Sequence, residues 1–417
     1  MNQTESRIFG FFVRTFRKKN NWTLEALAHH THYSYSMIRS IENGMSNLNE
    51  EGRNNIACLF GFQAFKSNLT EKSILISQLY EIDNDHAALK STDRKELIRN
   101  ILNDTSLIAS FLYPQYLLIQ LYGAVCDEDT NKEKVERICS LIESGLEFYT
   151  AKELSIYYNL LGMYVNDIQS ETQYLCQAFL YDPDSFLINL HLTMNACFHQ
   201  KLMEALQYLN RCKSLVFHFG SYYRFIQILI LEAQIHIDLG NYEHSLMCLK
   251  NILTEKENLD PYLYQSCLSL LAFGFFRKKD MEAALYYAQK AMDKATKKPL
   301  LYIIALFSAF RLQDESLFII FIHKAKDHII STTKTSDNSF DRIMPWNALI
   351  NGIIKWHDHN FSEAISEFEN SIHAFEMDPL RPWILECLIE LAQTNQNPEL
   401  AFHYQKELTR LLQSQIK

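Results

Sequence analysis

Glycine and proline are scarce. The 417 residues hold 11 Gly and eight Pro, under half the roughly 12% share the two take in an average chain. Sandwiches, barrels and doubly wound sheets place such residues at many turns, so the shortage points to helices joined by short connections. Cysteine is present but unpatterned: nine residues, at 58, 126, 139, 176, 197, 212, 248, 267 and 387, with no C-x-x-C spacing. That reads as reduced, mostly buried thiols and excludes a disulfide framework or a zinc ribbon. The N-terminal MNQTESR has no signal-like apolar core, and no apolar run reaches the ~20 residues that span a bilayer. A cytoplasmic chain with no membrane partner is expected. Also missing are G-x-x-x-x-G-K-[ST], G-x-S-x-G, H-E-x-x-H and a dinucleotide fingerprint, so neither enzyme activity nor a cofactor is expected. His29-His30-Thr-His32 has no Cys or acidic ligand beside it, and His357-Asp-His359 sets its rings two residues apart, where they diverge on a helix. No metal site is expected.

What is present suits a packed, soluble protein. Hydrophobic residues make up 47% and charged residues 21%, which excludes wholesale disorder, and the length allows about two to four domains. Charge is uneven. Residues 1–65 carry seven Lys/Arg against five acids, leaving 33 basic and 44 acidic side chains to the remainder. A small basic head precedes a large acidic body, as in a chain whose head meets nucleic acid.

The head reads as four helices. Ile8, Phe12 and Phe16 form one apolar stripe, ending in the polar run Arg17–Asn21. Thr23 caps a second helix with Leu24, Leu27 and Ala28 inward; Ser34 caps a third with Met37, Ile38 and Ile41 at core spacing. Asn43-Gly44 stops it, glycine supplying the left-handed residue. A fourth runs from about Asn49 to Phe60.

Thr23-Leu-Glu-Ala-Leu-Ala28 followed by Ser34-Tyr-Ser-Met-Ile-Arg-Ser-Ile-Glu-Asn-Gly44 resembles the Cro/CI-type (XRE) helix-turn-helix over about residues 7–62. Its closing segment, Ile38 to Gly44, is the most specific part. The resemblance implies that the third helix enters the major groove, with Tyr35, Ser36, Arg39 and Ser40 facing DNA. Lys18, Lys19 and Arg53 are the expected phosphate contacts. Arg17 and Glu42 match a pair that joins the first and third helices in the family. One departure stands out: Leu24 occupies a position where the family often has Gln touching phosphate.

From about residue 70 onward the pattern is helix pairs. Lys201-Leu-Met-Glu-Ala205, Asn241-Tyr-Glu-His-Ser245, Asp280-Met-Glu-Ala-Ala284, Asn360-Phe-Ser-Glu-Ala364 and, more weakly, Asn397-Pro-Glu-Leu-Ala401 each open a second helix with a small residue at the fifth place. The steps between these small residues are 40, 39, 80 and 37, so a unit near 320 is degenerate. Gly162, Gly352, Ala233 and Ala272 fit the small position of the first helix, and Pro183, Pro261, Pro299 and Pro379 end or open units. The segments resemble tetratricopeptide repeats with a period longer than 34; HEAT-like pairing is the structural competitor. About eight or nine pairs fit the length. With those small positions marking helix A, helical spacing puts Asn159, Asn166, Gln227, Gln234, Asp238 and Arg277 on a concave face. There, amides can hold a peptide backbone and the arginine a carboxylate.

Together the two halves resemble the RRNPP family of peptide-controlled regulators. The resemblance implies an all-α chain: a helix-turn-helix DNA-binding domain over 1–65, then a right-handed TPR-like α-solenoid over 66–417. It further implies a homodimer on a pseudo-palindromic operator in double-stranded DNA, controlled by a short signalling peptide in the concave face (quorum sensing). The alternatives are a protein-interaction scaffold and a body that sequesters a response regulator.

Overall fold

Each of the first four helices begins at its capping side chain. The computed structural model describes residues 2–67, 77, 91–125, 131–165, 167–219, 221–255, 259–292, 299–333, 340–375 and 380–416. Helix α1 spans Gln3–Lys19, capped by Asn2 in a reciprocal box with Glu5. Thr23 caps α2 (Leu24–Thr31), Ser34 caps α3 (Tyr35–Glu42) and Asn49 caps α4 (Glu50–Leu59), each by accepting the amide three residues on. Two glycines set how α1 and α3 meet. A Cβ on Gly10 would lie 2.3 Å from the Ile41 carbonyl oxygen, so only glycine permits this crossing. Gly44 has φ +67° and sits against the Arg7 backbone.

Then follow α5 (Ser91–Leu102), α6 (Tyr113–Val125), α7 (Lys132–Glu143), α8 (Ala151–Tyr164), α9 (Ile168–Tyr181), α10 (Phe186–Phe198) and α11 (Leu202–Phe219). After them come α12 (Tyr222–Asp238), α13 (Tyr242–Thr254), α14 (Pro261–Arg277), α15 (Met281–Met292), α16 (Pro299–Arg311) and α17 (Glu315–Thr333). The last four are α18 (Phe340–His357), α19 (Phe361–Ile372), α20 (Arg381–Thr394) and α21 (Pro398–Ile416). Pro261 and Pro299 each open a helix, as expected; Pro379 lies outside the described residues. Among those residues there is no strand, only an isolated bridge between Lys66 and Ser110.

The chain divides into two compact units, Met1–His191 and Leu192–Lys417. In the first, a cluster of aromatic rings binds the four-helix head to α6. Phe12 is fully buried and its ring lies within 4.8–6.2 Å of Phe9, Phe16, Phe60, Phe62, Phe65 and Tyr113. Phe11 reaches Tyr113 and Phe148, and Arg7 pairs with Glu147 at 3.1 Å. Across the expected 65/66 boundary, Lys66 N donates to Ala109 O at 2.8 Å. The head's core is therefore continuous with the helices that follow it.

In the second unit one turn recurs. Gln200, Gly240, Lys279, Gln313, His359 and Gln396 all have φ between +56° and +82°, and each donates to a carbonyl three residues back. The residue after each donates five back, as in Lys201 N→Ala196 O and Asp280 N→Phe275 O. This is the Schellman ending of a helix, and it places the second helix of each pair at a fixed angle. The small residue that follows is buried at Ala205, Ser245, Ala284, Ala364 and Ala401. The turn at Gln313 supplies the unit missing from the sequence alignment: there Phe318 stands where the others have Ala or Ser, buried and stacked on His357 at 4.2 Å. Gly352 does mark a close helix pairing, since a Cβ on it would fall 2.9 Å from the Phe368 ring; Gly162 does the same against Leu175 at 3.0 Å.

The second unit also closes on itself. Trp383 of α20 meets Phe276 of α14 and Phe307 of α16, with ring centroids 5.2 and 5.1 Å apart, and α11 touches α21.

Candidate functional site

In the head, α3 presents its N-terminal side chains outward. Tyr35, Ser36 and Arg39 are exposed and Ser40 is half-buried, while Ile38 and Ile41 are fully buried on the opposite face. Ser36 Oγ lies 2.9 Å from the capping Ser34 Oγ. Behind this surface the helix is clamped. Arg17 Nε bonds Glu42 Oε1 at 2.5 Å and Nη2 bonds Oε2 at 3.0 Å, while Nη1 donates to Trp22 O at 2.8 Å. A two-pronged pair of this kind fixes direction as well as distance. Glu42 raises the Arg17 pKa, chiefly through that hydrogen bond. Lys18 is exposed, and exposed Lys19 stands over the Phe16 ring at 5.3 Å.

Arg53 corrects the expectation of a phosphate contact. It is buried, donating to Leu48 O at 2.7 Å and Ser67 Oγ at 3.1 Å, with its guanidinium over Phe111. Its charge faces the interior and ties α4 to the segment beyond. Of the histidines, His30 stacks on Trp22 at 4.6 Å. His357 bonds Glu315 Oε1 at 2.9 Å and Asp358 Oδ1 at 3.2 Å. Among the described residues no group of His, Cys, Asp and Glu is arranged to hold a metal.

The concave-face residues are dispersed. Asn159 is buried, and its Oδ1 pairs with His191 Nδ1 at 2.8 Å. It is thus a structural partner inside the first unit and is not open to a peptide. Asn166 lies outside the described residues. Gln227, Gln234 and Asp238 are half-buried on α12, with the Gln227 side-chain oxygen buried and lacking a hydrogen-bond partner. Arg277 ends α14 at the lip of a cavity in the second unit.

His191 makes one pH prediction. Desolvation of its ring lowers its pKa from 6.5 to about 4. The unfolded chain then binds the proton first as pH falls, so stability held above pH 6.5 is lost between there and pH 4. Melting temperatures at pH 7 and pH 5 are expected to differ less in His191→Gln than in the unaltered chain. Equal differences would remove His191 from the account.

The cavity has a volume of about 560 Å³ and is lined by Phe276, Phe307 and Trp383 together with Arg311, Glu386 and Glu390. Arg311 Nη1 donates to Glu390 Oε1 at 2.7 Å and Nη2 bonds Oε2. The same guanidinium lies over Trp356 at 4.7 Å and Phe307 at 4.9 Å. Lys279 pairs with Glu386 at 3.1 Å. Sequence reasoning missed this group. The available signal was a single charge, Arg311, closing the otherwise apolar helix Pro299–Arg311.

No helix among the described residues is long and apolar enough to cross a membrane. No family model and no curated protein matches the sequence. Solved structures do match in shape. A Rap protein complexed with competence and sporulation factor aligns over 83% of this chain and 100% of its own, with TM-score 0.64 and 13% identity. The apo form of the quorum sensor NprR from B. thuringiensis covers 84% of this chain and 99% of its own, with TM-score 0.63 and 12% identity. NprR in complex with its cognate peptide NprX aligns over 81% and 98%, with TM-score 0.60 and 12% identity. At such identities the likeness is one of fold: the described residues are helical without a strand, and the chain is similar in architecture to the TPR-like helical-repeat proteins Rap and NprR.

Proposed function

We propose that the chain is a DNA-binding transcriptional regulator whose repeat array receives a short signalling peptide, that it acts by binding and not by catalysis, and that it belongs to the RRNPP type. The observation that carries the DNA half is α3, locked from behind by Arg17 and Glu42 while Tyr35, Ser36 and Arg39 stay exposed. That is the disposition a groove-reading helix requires. Lys18 and Lys19 supply nearby positive charge for phosphates. The array half is supported by the fold shared with Rap and NprR, whose structures were solved with competence and sporulation factor and with the peptide NprX. Gln227, Gln234, Asp238 and Arg277 are the residues offered to a peptide. A homodimer would set two α3 helices about one DNA turn, roughly 34 Å, apart on a pseudo-palindromic site.

Full-length protein is expected to retard DNA from upstream of its own gene at low salt, less so as salt rises. Arg39→Ala is expected to weaken that complex about tenfold or more with an unchanged melting temperature, because Arg39 is exposed. No retardation at low salt defeats the DNA assignment. A matching peptide raises the melting temperature by binding the folded state.

A further inference from the structure

The cavity of the second unit combines an apolar wall with charged side chains on its rim. Phe276, Phe307 and Trp383 meet edge to face or tilted, with centroids 5.1–5.7 Å apart. Trp383 is only 6% exposed, and its indole N–H has no hydrogen-bond partner. Arg277, Lys279 and Arg311 stand on the rim against two carboxylates, Glu386 and Glu390.

Arg311 is held in two independent ways. Rings of Phe307, Phe310 and Trp356 lie 4.7–5.7 Å from its guanidinium carbon, and Glu390 occupies its planar edge. The rings come from α16 and α18 and fix the cation whether or not the carboxylate stays. Glu390, by contrast, sits on α20 with a side chain 46% exposed. Water offers it an alternative at little loss, because an exposed partner gains little from its ion pair. A guanidinium stacked on rings, with an exchangeable carboxylate on its fork, is a preformed carboxylate receptor.

We propose that this cavity binds a carboxylate carried next to an apolar side chain, with Arg311 as anchor, Glu390 as the resident group that the ligand displaces, and the Phe276–Phe307–Trp383 wall as the apolar contact. The proposal rests on the reading of the array as a peptide receptor and names the chemistry such a peptide carries. Glu386 and Glu390 are one helical turn apart on α20, so displacement of Glu390 releases one of its ion pairs while Lys279 still holds Glu386.

Four probes separate the possibilities in the full-length chain, with tryptophan fluorescence as the readout, since Trp356 and Trp383 belong to the site. They form two pairs of acid and neutral amide: N-acetyl-L-phenylalanine with its amide, and N-acetyl-Asp-Phe-amide with N-acetyl-Asn-Phe-amide. The first pair places the carboxylate at the chain end and the second on a side chain; whichever pair binds identifies the source. The acid of the binding pair is expected at a Kd of about 1 mM, the limit set by so few atoms, with the neutral amide about tenfold weaker. Glu390→Gln, which removes the competitor but keeps its shape, is expected to tighten the acid about tenfold. Arg311→Gln is expected to abolish it. Equal binding of acid and amide, or no tightening in Glu390→Gln, overturns the site even if Arg311→Gln proves unstable. Failure of the receptor reading looks different: no peptide then raises the melting temperature. A peptide that does so equally in the unaltered chain and in Glu390→Gln leaves the receptor standing and removes this cavity from it.

Discussion

Phe12→Ala is expected to cost about 3–5 kcal/mol, the range for emptying an aromatic site in a tight core. The cause is the number of partners: six rings surround it, from Phe9 to Tyr113, and none of its surface meets water. Neighbouring rings cannot collapse into the space without dragging α1, α4 and α6 with them, so the cavity persists and its lining loses dispersion contacts. Urea denaturation followed by far-UV circular dichroism, with the unit Met1–His191 unfolding earlier, is the measurement. A loss below about 1 kcal/mol would mean that the site collapses after all. If the proposed DNA reading holds, DNA binding is expected to weaken in parallel with stability, because Phe12 lies on α1, which packs on α3.

Glu42→Ala is expected to destabilise the same unit by about 3 kcal/mol, at the low end for breaking a buried ion pair by removing one partner. Both side chains are largely buried, at 13% and 7% exposure, so the orphaned guanidinium cannot recover full hydration. It keeps its bond to the Trp22 carbonyl, which limits the loss. The informative comparison is the double variant Arg17→Met with Glu42→Leu. If the pair serves direction more than stability, the double variant recovers much of the melting temperature while DNA retardation stays weak. Recovery of both would show that packing alone orients α3.

The head was legible because its signals are local. Thr23, Ser34 and Asn49 cap the helices they stand before, and Gly44 ends α3, since each acts within four residues. The Arg17–Glu42 pair spans 25 residues and came from the family resemblance, not from spacing. Arg53 misled because composition gives the sign of a charge and not its direction: the Leu48 carbonyl and Ser67 draw it inward. Asn159 misled likewise, its partner His191 being 32 residues on. The repeat near 320 was unreadable as long as a small residue was the marker, because Phe318 fills that place. The backbone turn at Gln313 keeps the pattern that the side chain abandons. The cavity was hidden for a further reason. Phe276, Arg311 and Trp383 come from helices up to about a hundred residues apart in the chain, and only the coiling of the array assembles them.

The ring cluster between head and α6 has a mechanical meaning. With Phe9 and Phe12 set against Phe65, and Phe11 and Phe16 against Tyr113, α1 and α6 are packed as one body, and α3 is tied to α1 through Arg17 and Glu42. Whatever tilts α6 must carry Tyr35 and Arg39 along as a handle carries its blade. On the proposed reading, a signal need not loosen the head at all; turning its foundation moves the exposed edge of α3 as a whole.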